Sequence, residues 1–335
     1  MNTHHALELF RDSIRRRHLA IATEKSYCGW LRRFAGFLQG GATTGTREEK
    51  VEAFLTDLAR RRCSSSQQNQ ALNALMSFYR DVLEQPLSGV NALRVRRPAG
   101  IRIAPSAAVV RALMMALEDT PSQPVRLIAS LLYGCGLRLN EALGLRLKDV
   151  DLTNSRFWIR DAKHHRDRVV AIPCALTGDI VAQVARAEAS WREDFLKRIP
   201  VPLPGLLGRK FPHAEYSRDW YWLFPVADVC TDTRSGRTVR WRCHPAVVQR
   251  AFARASERAS LRPAVTPHHL RHAYATHCLD AGVNVRALQS AMGHKSLETT
   301  MRYLHADALS VTSPLDRPHC QPPGTGAFCG ASTAF

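Results

Sequence analysis

One stretch breaks the pattern of this chain. "LRVRRPAGIRIAPS", residues 93–106, holds Pro98, Gly100, Pro105 and four Arg, with no helical spacing of its apolar residues. Proline lacks a backbone donor and fixes φ, so neither a helix nor a central strand runs through such a stretch. A chain interrupted there folds as two units. Residues 1–92 are expected to form an N-terminal domain, 93–105 a basic linker and 106–313 a larger second domain. Residues 314–335 are Pro/Gly-rich and are expected to be a disordered tail.

Before the break the reading is helical throughout. "ALELFRDSIRRRHL", "TEKSYCGWLRRFAGFLQ", "REEKVEAFLTDLARRR" and "SSSQQNQALNALMSFYRDVL" each repeat apolar residues at three and four. Thr23 and either Ser64 or Ser65 suit N-caps. Gln67, Gln68, Asn69 and Gln70 open the last helix; they fit contacts to phosphates or bases, and equally a solvated face. After the break, "SAAVVRALMMALED" and "PVRLIASLLYGCG" are helical again. In "SRFWIRDAKHHRDRVVAIP" the period changes: Phe157 and Ile159, then Val169 and Ala171, alternate around a polar centre. That pattern predicts a β-hairpin with its turn near residues 163–167. "ALTGDIVAQVARAEASWREDFL" is helical, residues 197–243 are irregular, and helical spacing returns from His244 to about Leu309. The fold class expected is mainly α with a small β-sheet.

The formal net charge is +18, from 47 basic against 29 acidic residues. An excess of this size points to a polyanion, most often nucleic acid. Forty of the basic residues are Arg and seven are Lys. A GC-rich genome accounts for Arg over Lys, but less well for the shortage of Asp and Glu. The nine Cys are scattered and form no CxxC pair, which argues for reduced thiols and against a zinc site. No apolar run approaches the roughly 18 residues that span a membrane, and the N-terminus has no signal-peptide core. A cytoplasmic protein without membrane contact is expected.

Four short motifs carry chemistry. In "YGCGLRLNEALGL", Gly134 and Gly136 end one helix and Arg138 opens the next, with Glu141 three residues on, able to orient the guanidinium. Taken alone, this is also an ordinary surface ion pair. Lys163 sits at the hairpin turn, where a flexible ammonium can reach a site or simply be solvated. In "TPHHLRHAYATHCL", Thr266 suits an N-cap and Pro267 the first helical position. His268 and Arg271 then project near a helix N-terminus, which favours an anion such as phosphate. In "MGHKSLETTMRYLH", one continuous helix would put His294 and Tyr303 about 180° apart. Gly293 as a C-cap and Ser296 with Glu298 as a new N-terminus break it, so both can face one pocket.

Arg138, Lys163, His268 with Arg271, His294 and Tyr303, in this order, resemble the tyrosine recombinase (phage integrase) family, and the helical N-terminal block resembles its core-binding, SAM-like domain. "QNQALNALMSFYRDVL", the inserted "GRKFPHAEYSRDWYWLFP" (an insertion over about 197–224) and the closing "SPLD" resemble the integron integrases within it. The resemblance implies transfer of a DNA phosphoryl group to Tyr303 and a 3′-phosphotyrosyl intermediate. Arg138 and Arg271 would clamp the phosphate, Lys163 would be the acid, His268 the base, and His294 a phosphate ligand. It implies no cofactor and no metal, a homotetramer with DNA, and attI duplex and folded single-stranded attC as partners. Trp220, Tyr221 and Trp222 then fit stacking on unpaired bases, and equally fit core aromatics of an irregular insert. Arg240 is a further candidate DNA contact. Two departures stand out: Arg240-Trp241-Arg242 replaces the family's Arg-His-His run, and Arg302 and Leu304 flank the tyrosine in place of commoner residues. The alternatives are a phage-type or dimer-resolving recombinase on duplex sites, a nicking-closing topoisomerase, and a catalytically silent DNA-binding regulator.

Overall fold

The computed structural model describes residues 2–17, 19, 21–41, 44–90, 104–120, 123–160, 167–205, 207–232 and 235–293. The chain divides into two compact units, with the boundary between residues 102 and 103. Most of the expected linker, and all of the expected tail, lie outside the described residues.

The first unit holds α1 (Thr3–Arg16), α2 (Ile21–Gly40), α3 (Arg47–Arg60) and α4 (Ser65–Asp81). Side-chain caps fix three of the starts. Asn2 accepts from the His5 N–H, and Thr46 with Glu49 and Ser64 with Gln67 form reciprocal capping boxes. Ser64 is therefore the cap of α4. Thr23 is not a cap, because α2 starts two residues earlier and takes it into its first turn. The apolar stripes meet in one core, where Phe10 packs edge-on against Phe78 and Phe34 against Phe54. Gln67 is exposed, but its carboxamide oxygen is committed to the Ser64 N–H at 3.0 Å. Gln68 is buried, Gln70 accepts from the Trp30 indole at 3.3 Å, and Asn69 is exposed.

The second unit begins with α5 (Ala107–Ala116), α6 (Val125–Gly134) and α7 (Leu139–Leu143). A three-stranded antiparallel sheet follows, in the order β1 (Val150–Asp151), β2 (Arg156–Ile159), β3 (Arg168–Ala171). Next come α8 (Thr177–Leu196), the short α9 (Leu207–Lys210) and a small ribbon, β4 (Cys230–Thr231) with β5 (Thr238–Val239). Then α10 (Pro245–Arg258), α11 (Pro267–Asp280) and α12 (Val285–Met292) complete the described chain. Helix α11 packs on α5, α6, α10 and α12. Its small residues Ala273 and Ala275 are fully buried, which lets these neighbours surround it.

The two strands of the expected hairpin pair antiparallel, with the opposite phase on the second, while most of the expected turn lies outside the described residues. Phe157 pairs with Val170, and Trp158 with Val169. Directly paired residues share a face, so Val170 joins Phe157 in the core, while Val169 is 42% exposed and Ala171 is also exposed. A one-residue error of phase moves every side chain to the other face, and here it had hidden Arg168, which shares the inner face with Val170.

The largely irregular segment after α8, expected as an insert, is anchored mainly by buried polar groups. Asp194, near the end of α8, is 1% exposed and accepts from the Tyr221 hydroxyl at 2.6 Å. The Arg240 guanidinium grips the same carboxylate with two bonds of 2.7 Å. The Trp222 indole donates to the Arg240 carbonyl at 3.0 Å, and the Arg146 guanidinium lies 3.7 Å from the Trp222 ring centroid. Backbone bonds from Leu223 to Leu145 and from Leu147 to Tyr221 stitch the insert to the chain after α7. Tyr221 and Trp222 are 2% and 6% exposed. They are core aromatics and offer no free face to an unpaired base. Trp220 is partly buried, and the Lys148 ammonium covers one of its faces. The Arg240 guanidinium is likewise engaged, by Asp194 and by the Val226 and Ala227 carbonyls.

Gly136 has φ +60°, and a Cβ placed there would lie 2.4 Å from the Tyr274 ring of α11. Gly136→Ala is expected to lose about 2–4 kcal/mol in urea unfolding, from left-handed strain plus overpacking. Gly178→Ala, in α8 with nothing within 4 Å of the new Cβ, is the control. It is expected to hold or gain up to about 1 kcal/mol.

Candidate functional site

The turn after α6 presents the first arginine. Gly136, left-handed, lets the chain reverse beneath Tyr274, and Arg138 becomes the N-cap of α7. Glu141 stands three residues on, where a carboxylate suits the N-terminal turn. Its Oε2 accepts from the Arg138 N–H at 2.8 Å, and its Oε1 from Arg138 Nη1 at 2.6 Å.

Helix α11 presents the second arginine. Thr266 and Pro267 start it as the sequence predicts. The capping box is completed by His269, whose Nδ1 accepts from the Thr266 N–H at 3.2 Å. His268 falls in the first turn and Arg271 one turn on. Arg271 is 3% exposed. It donates to the Gly136 carbonyl and, at 2.6 Å, to the Met292 carbonyl, and its Nη1 is 3.7 Å from Glu141 Oε2.

A third arginine, Arg168 of β3, completes the cluster. It meets Glu141 fork to fork, Nη1 to Oε1 at 3.2 Å and Nη2 to Oε2 at 2.6 Å, and its Nε donates to the Ala291 carbonyl at 2.8 Å. Burial alone would raise the Glu141 carboxyl. Arg168, by hydrogen bond and charge, together with Arg138 overcomes this and brings it down to about 2. Three successive carbonyls at the end of α12 are thus met by three different arginines. Arg168 takes Ala291, Arg271 takes Met292, and Arg138 makes a long 3.5 Å contact with Gly293. The last carbonyls of a helix have no partner within it, and cations suit its negative end. Gly293 closes α12 in the left-handed conformation, φ 64° and ψ 44°.

A cleft of about 570 Å³ opens beside this cluster, lined by Arg138, Glu141, His268 and Arg271 together with Pro245, Gln249 and Thr266. Two guanidiniums and an imidazole at a helix N-terminus suit a phosphate group and the charge that grows on it in a displacement. Arg138, 45% exposed, is the guanidinium open to an incoming group. The structure brings together Arg138, Glu141, His268 and Arg271. Lys163, His294 and Tyr303 lie outside the described residues, as do Ser296 and Glu298. Glu141 is more than the orienting partner of Arg138, since it is shared among three arginines. Arg168 was not anticipated: it is in phase with Val170 and Ile172, but only the strand pairing shows that these, and not Val169, face the core. At the altered Arg-Trp-Arg run, Trp241 packs against the core and Arg242 Nη2 donates to Asn140 Oδ1 at 3.2 Å. Asn140 lines the same cleft.

Comparison with known proteins agrees with both units. The family model described as the phage integrase family matches residues 106–309, and that of the phage integrase N-terminal SAM-like domain matches residues 7–89. An integrase/recombinase of Escherichia coli is 38% identical over 327 residues, covering 92% of this chain and 93% of that protein. The tyrosine recombinase XerA of Thermococcus onnurineus is 30% identical, covering 84% and 83%. Among solved structures, the XerH site-specific recombinase bound to its difH substrate aligns with a TM-score of 0.56 at 19% identity, over 91% of this chain and 81% of that one. A lambda integrase dimer bound to a core site aligns with a TM-score of 0.58 at 15% identity, over 90% and 76%. These similarities carry the fold, and the family models span most of the chain: it belongs to the phage integrase family and is a site-specific tyrosine recombinase.

Proposed function

We propose that this recombinase is an integron integrase, joining attC cassettes to an attI site through a 3′-phosphotyrosyl intermediate. The observation that carries the chemistry is the convergence of Arg138, His268 and Arg271 on one cleft, at the point where α12 ends just before His294. In the proposed step the Tyr303 oxygen attacks the scissile phosphorus and the bond to the 5′-oxygen breaks. His268 takes the tyrosine proton, Lys163 gives a proton to the leaving 5′-oxygen, and His294 hydrogen-bonds a phosphate oxygen. Arg138 and Arg271 hold the non-bridging oxygens. Tyrosine, with an ordinary pKa near 10, needs both the base and the cations. A phosphodiester is exchanged for a phosphotyrosine of similar energy, so the return reaction with another 5′-hydroxyl needs no ATP. The enzyme acts in the cytoplasm, as a homotetramer holding two DNA sites.

The integron assignment rests on the insert over residues 197–224, on "QNQALNALMSFYRDVL" and on the closing "SPLD". The burial of Tyr221 and Trp222 removes base stacking as its support. It favours keeping a second reading, a recombinase of duplex sites, as the Xer-type names of several relatives also do. Deleting the insert cannot separate the two, because its aromatics are core.

Covalent capture separates them. Nicked duplexes from a random-sequence pool, and folded single strands with unpaired bases, are offered to the protein, and DNA–protein adducts are read on denaturing gels. Adducts with both substrates are expected; adducts with duplex alone would leave the second reading. Tyr303→Phe is expected to form none. Arg138→Ala and Arg271→Ala are each expected to slow capture about 10²–10³-fold, as for loss of a donor to a developing anion. Non-covalent binding by Tyr303→Phe is expected to weaken about 10³-fold or more between 50 and 200 mM salt, as for proteins neutralising six or more phosphates. A slope near zero would argue against phosphate contacts as the main source of affinity.

A further inference from the structure

Arg168 is not among the residues lining the cleft, yet it grips Glu141, which is. Its side chain is 9% exposed. It holds both oxygens of Glu141 and the Ala291 carbonyl at once. A Cβ on Gly293 would come within 3.0 Å of Arg168 Nη1, so the guanidinium also packs against the residue that ends α12.

The charges around Glu141 are uneven: one carboxylate serves three guanidiniums. A carboxylate accepts a guanidinium best in the two-pronged arrangement, and only Arg168 has it. Arg138 reaches one oxygen by its side chain, and Arg271 stands off at 3.7 Å. Without Arg168, a buried carboxylate would be left to be satisfied by the remaining two. Each bond that Arg138 or Arg271 gives to Glu141 is one withheld from a phosphate oxygen.

We propose that Arg168 is a positioning residue for strand transfer: by occupying Glu141 and bracing the end of α12, it leaves the charges of Arg138 and Arg271 to the scissile phosphate. This rests on the reading of those two arginines as the phosphate clamp. Lysine is not an equivalent, because a single ammonium cannot grip two carboxylate oxygens and a carbonyl in the geometry of the fork.

The test is a double-variant cycle with Arg168→Met, Glu141→Gln and the pair together. Capture rates are measured on the nicked duplex selected by the wild-type protein. Arg168→Met is expected to slow capture about 100-fold, the scale of a misplaced catalytic group, while non-covalent DNA binding changes little. Adding Glu141→Gln is expected to restore at least about tenfold of that loss, because the neutral amide no longer competes for the clamp. A packing role alone would make the double variant slower than either single one, and that result would overturn the proposal. Arg168→Lys covers the case in which the methionine variant does not fold; a wild-type rate there would also overturn it. Calorimetric binding of inorganic phosphate gives a readout that needs no recombination site. Affinity is expected to fall with Arg168→Met and recover in the double variant, and equal affinity in all forms would count against the proposal. Wild-type capture by Arg138→Ala and Arg271→Ala would instead remove the clamp reading itself.

Discussion

The second unit depends on the sharing of the Glu141 carboxylate among Arg138, Arg168 and Arg271. These arginines come from a helix start, a strand and a central helix, far apart in sequence. The same three meet the successive carbonyls that end α12. Two problems of burial are solved together. Guanidiniums that would repel each other gain an anion, and carbonyls with no partner within their helix gain donors. Losing Arg168, 9% exposed, would leave the Glu141 carboxylate short of its two-pronged partner, a loss that for buried pairs typically costs about 3–5 kcal/mol. The cluster therefore holds the helix end rigidly before any DNA arrives.

The same arithmetic bears on the chemistry. Among the described residues of this cluster, three guanidiniums against one carboxylate leave an excess of two positive charges. A phosphodiester brings one negative charge, and the five-coordinate transition state carries two. On the proposed reading of Arg138 and Arg271 as the phosphate clamp, two fixed cations match the transition state better than the bound ground state, and that difference is what lowers a barrier. On that reading Glu141 serves the match even though its sign is wrong for a phosphate site. It is the carboxylate partner of Arg168, which in turn donates to the Ala291 carbonyl at the end of α12.

Much of this was readable in the sequence, for local reasons. Thr266, Pro267 and Gly293 carry the chemistry of helix starts and stops in the residues themselves, and they appear at their expected positions. The helical stripes before residue 90 give the first unit in the same way. Arg168 was not readable, because its role depends on strand phase, and Val169 and Val170 are equally apolar. Only the pairing of Phe157 with Val170 settles which side faces inward. The aromatic run Trp220-Tyr221-Trp222 left two readings open for a related reason. Aromatic residues in an irregular segment look free for stacking unless the group that satisfies their polar ends is known. That group, Asp194, lies on α8 about 27 residues earlier, within a pattern that otherwise shows an ordinary helix.

Asp194 and Glu141 also refine what the composition meant. In a chain with 29 acidic and 47 basic residues, each carboxylate placed in the interior binds guanidiniums that would otherwise face solvent. Asp194 takes Arg240, Glu141 takes Arg168 and shares Arg138, and Asp149, 4% exposed, takes Arg160. Net charge counts all these arginines alike, but the fold does not. Buried carboxylates convert some arginines into structural ties and leave others, such as Arg138, with capacity for a further anion. The excess of +18 says that a polyanion is welcome, and the positions of the few inward-facing acids decide which arginines are left to meet it. By that criterion Arg240, with Arg242 two residues on, is an internal brace tied to Asp194. Arg138, although paired with Glu141, keeps an edge open to the cleft, because Arg168 takes the larger share of the carboxylate.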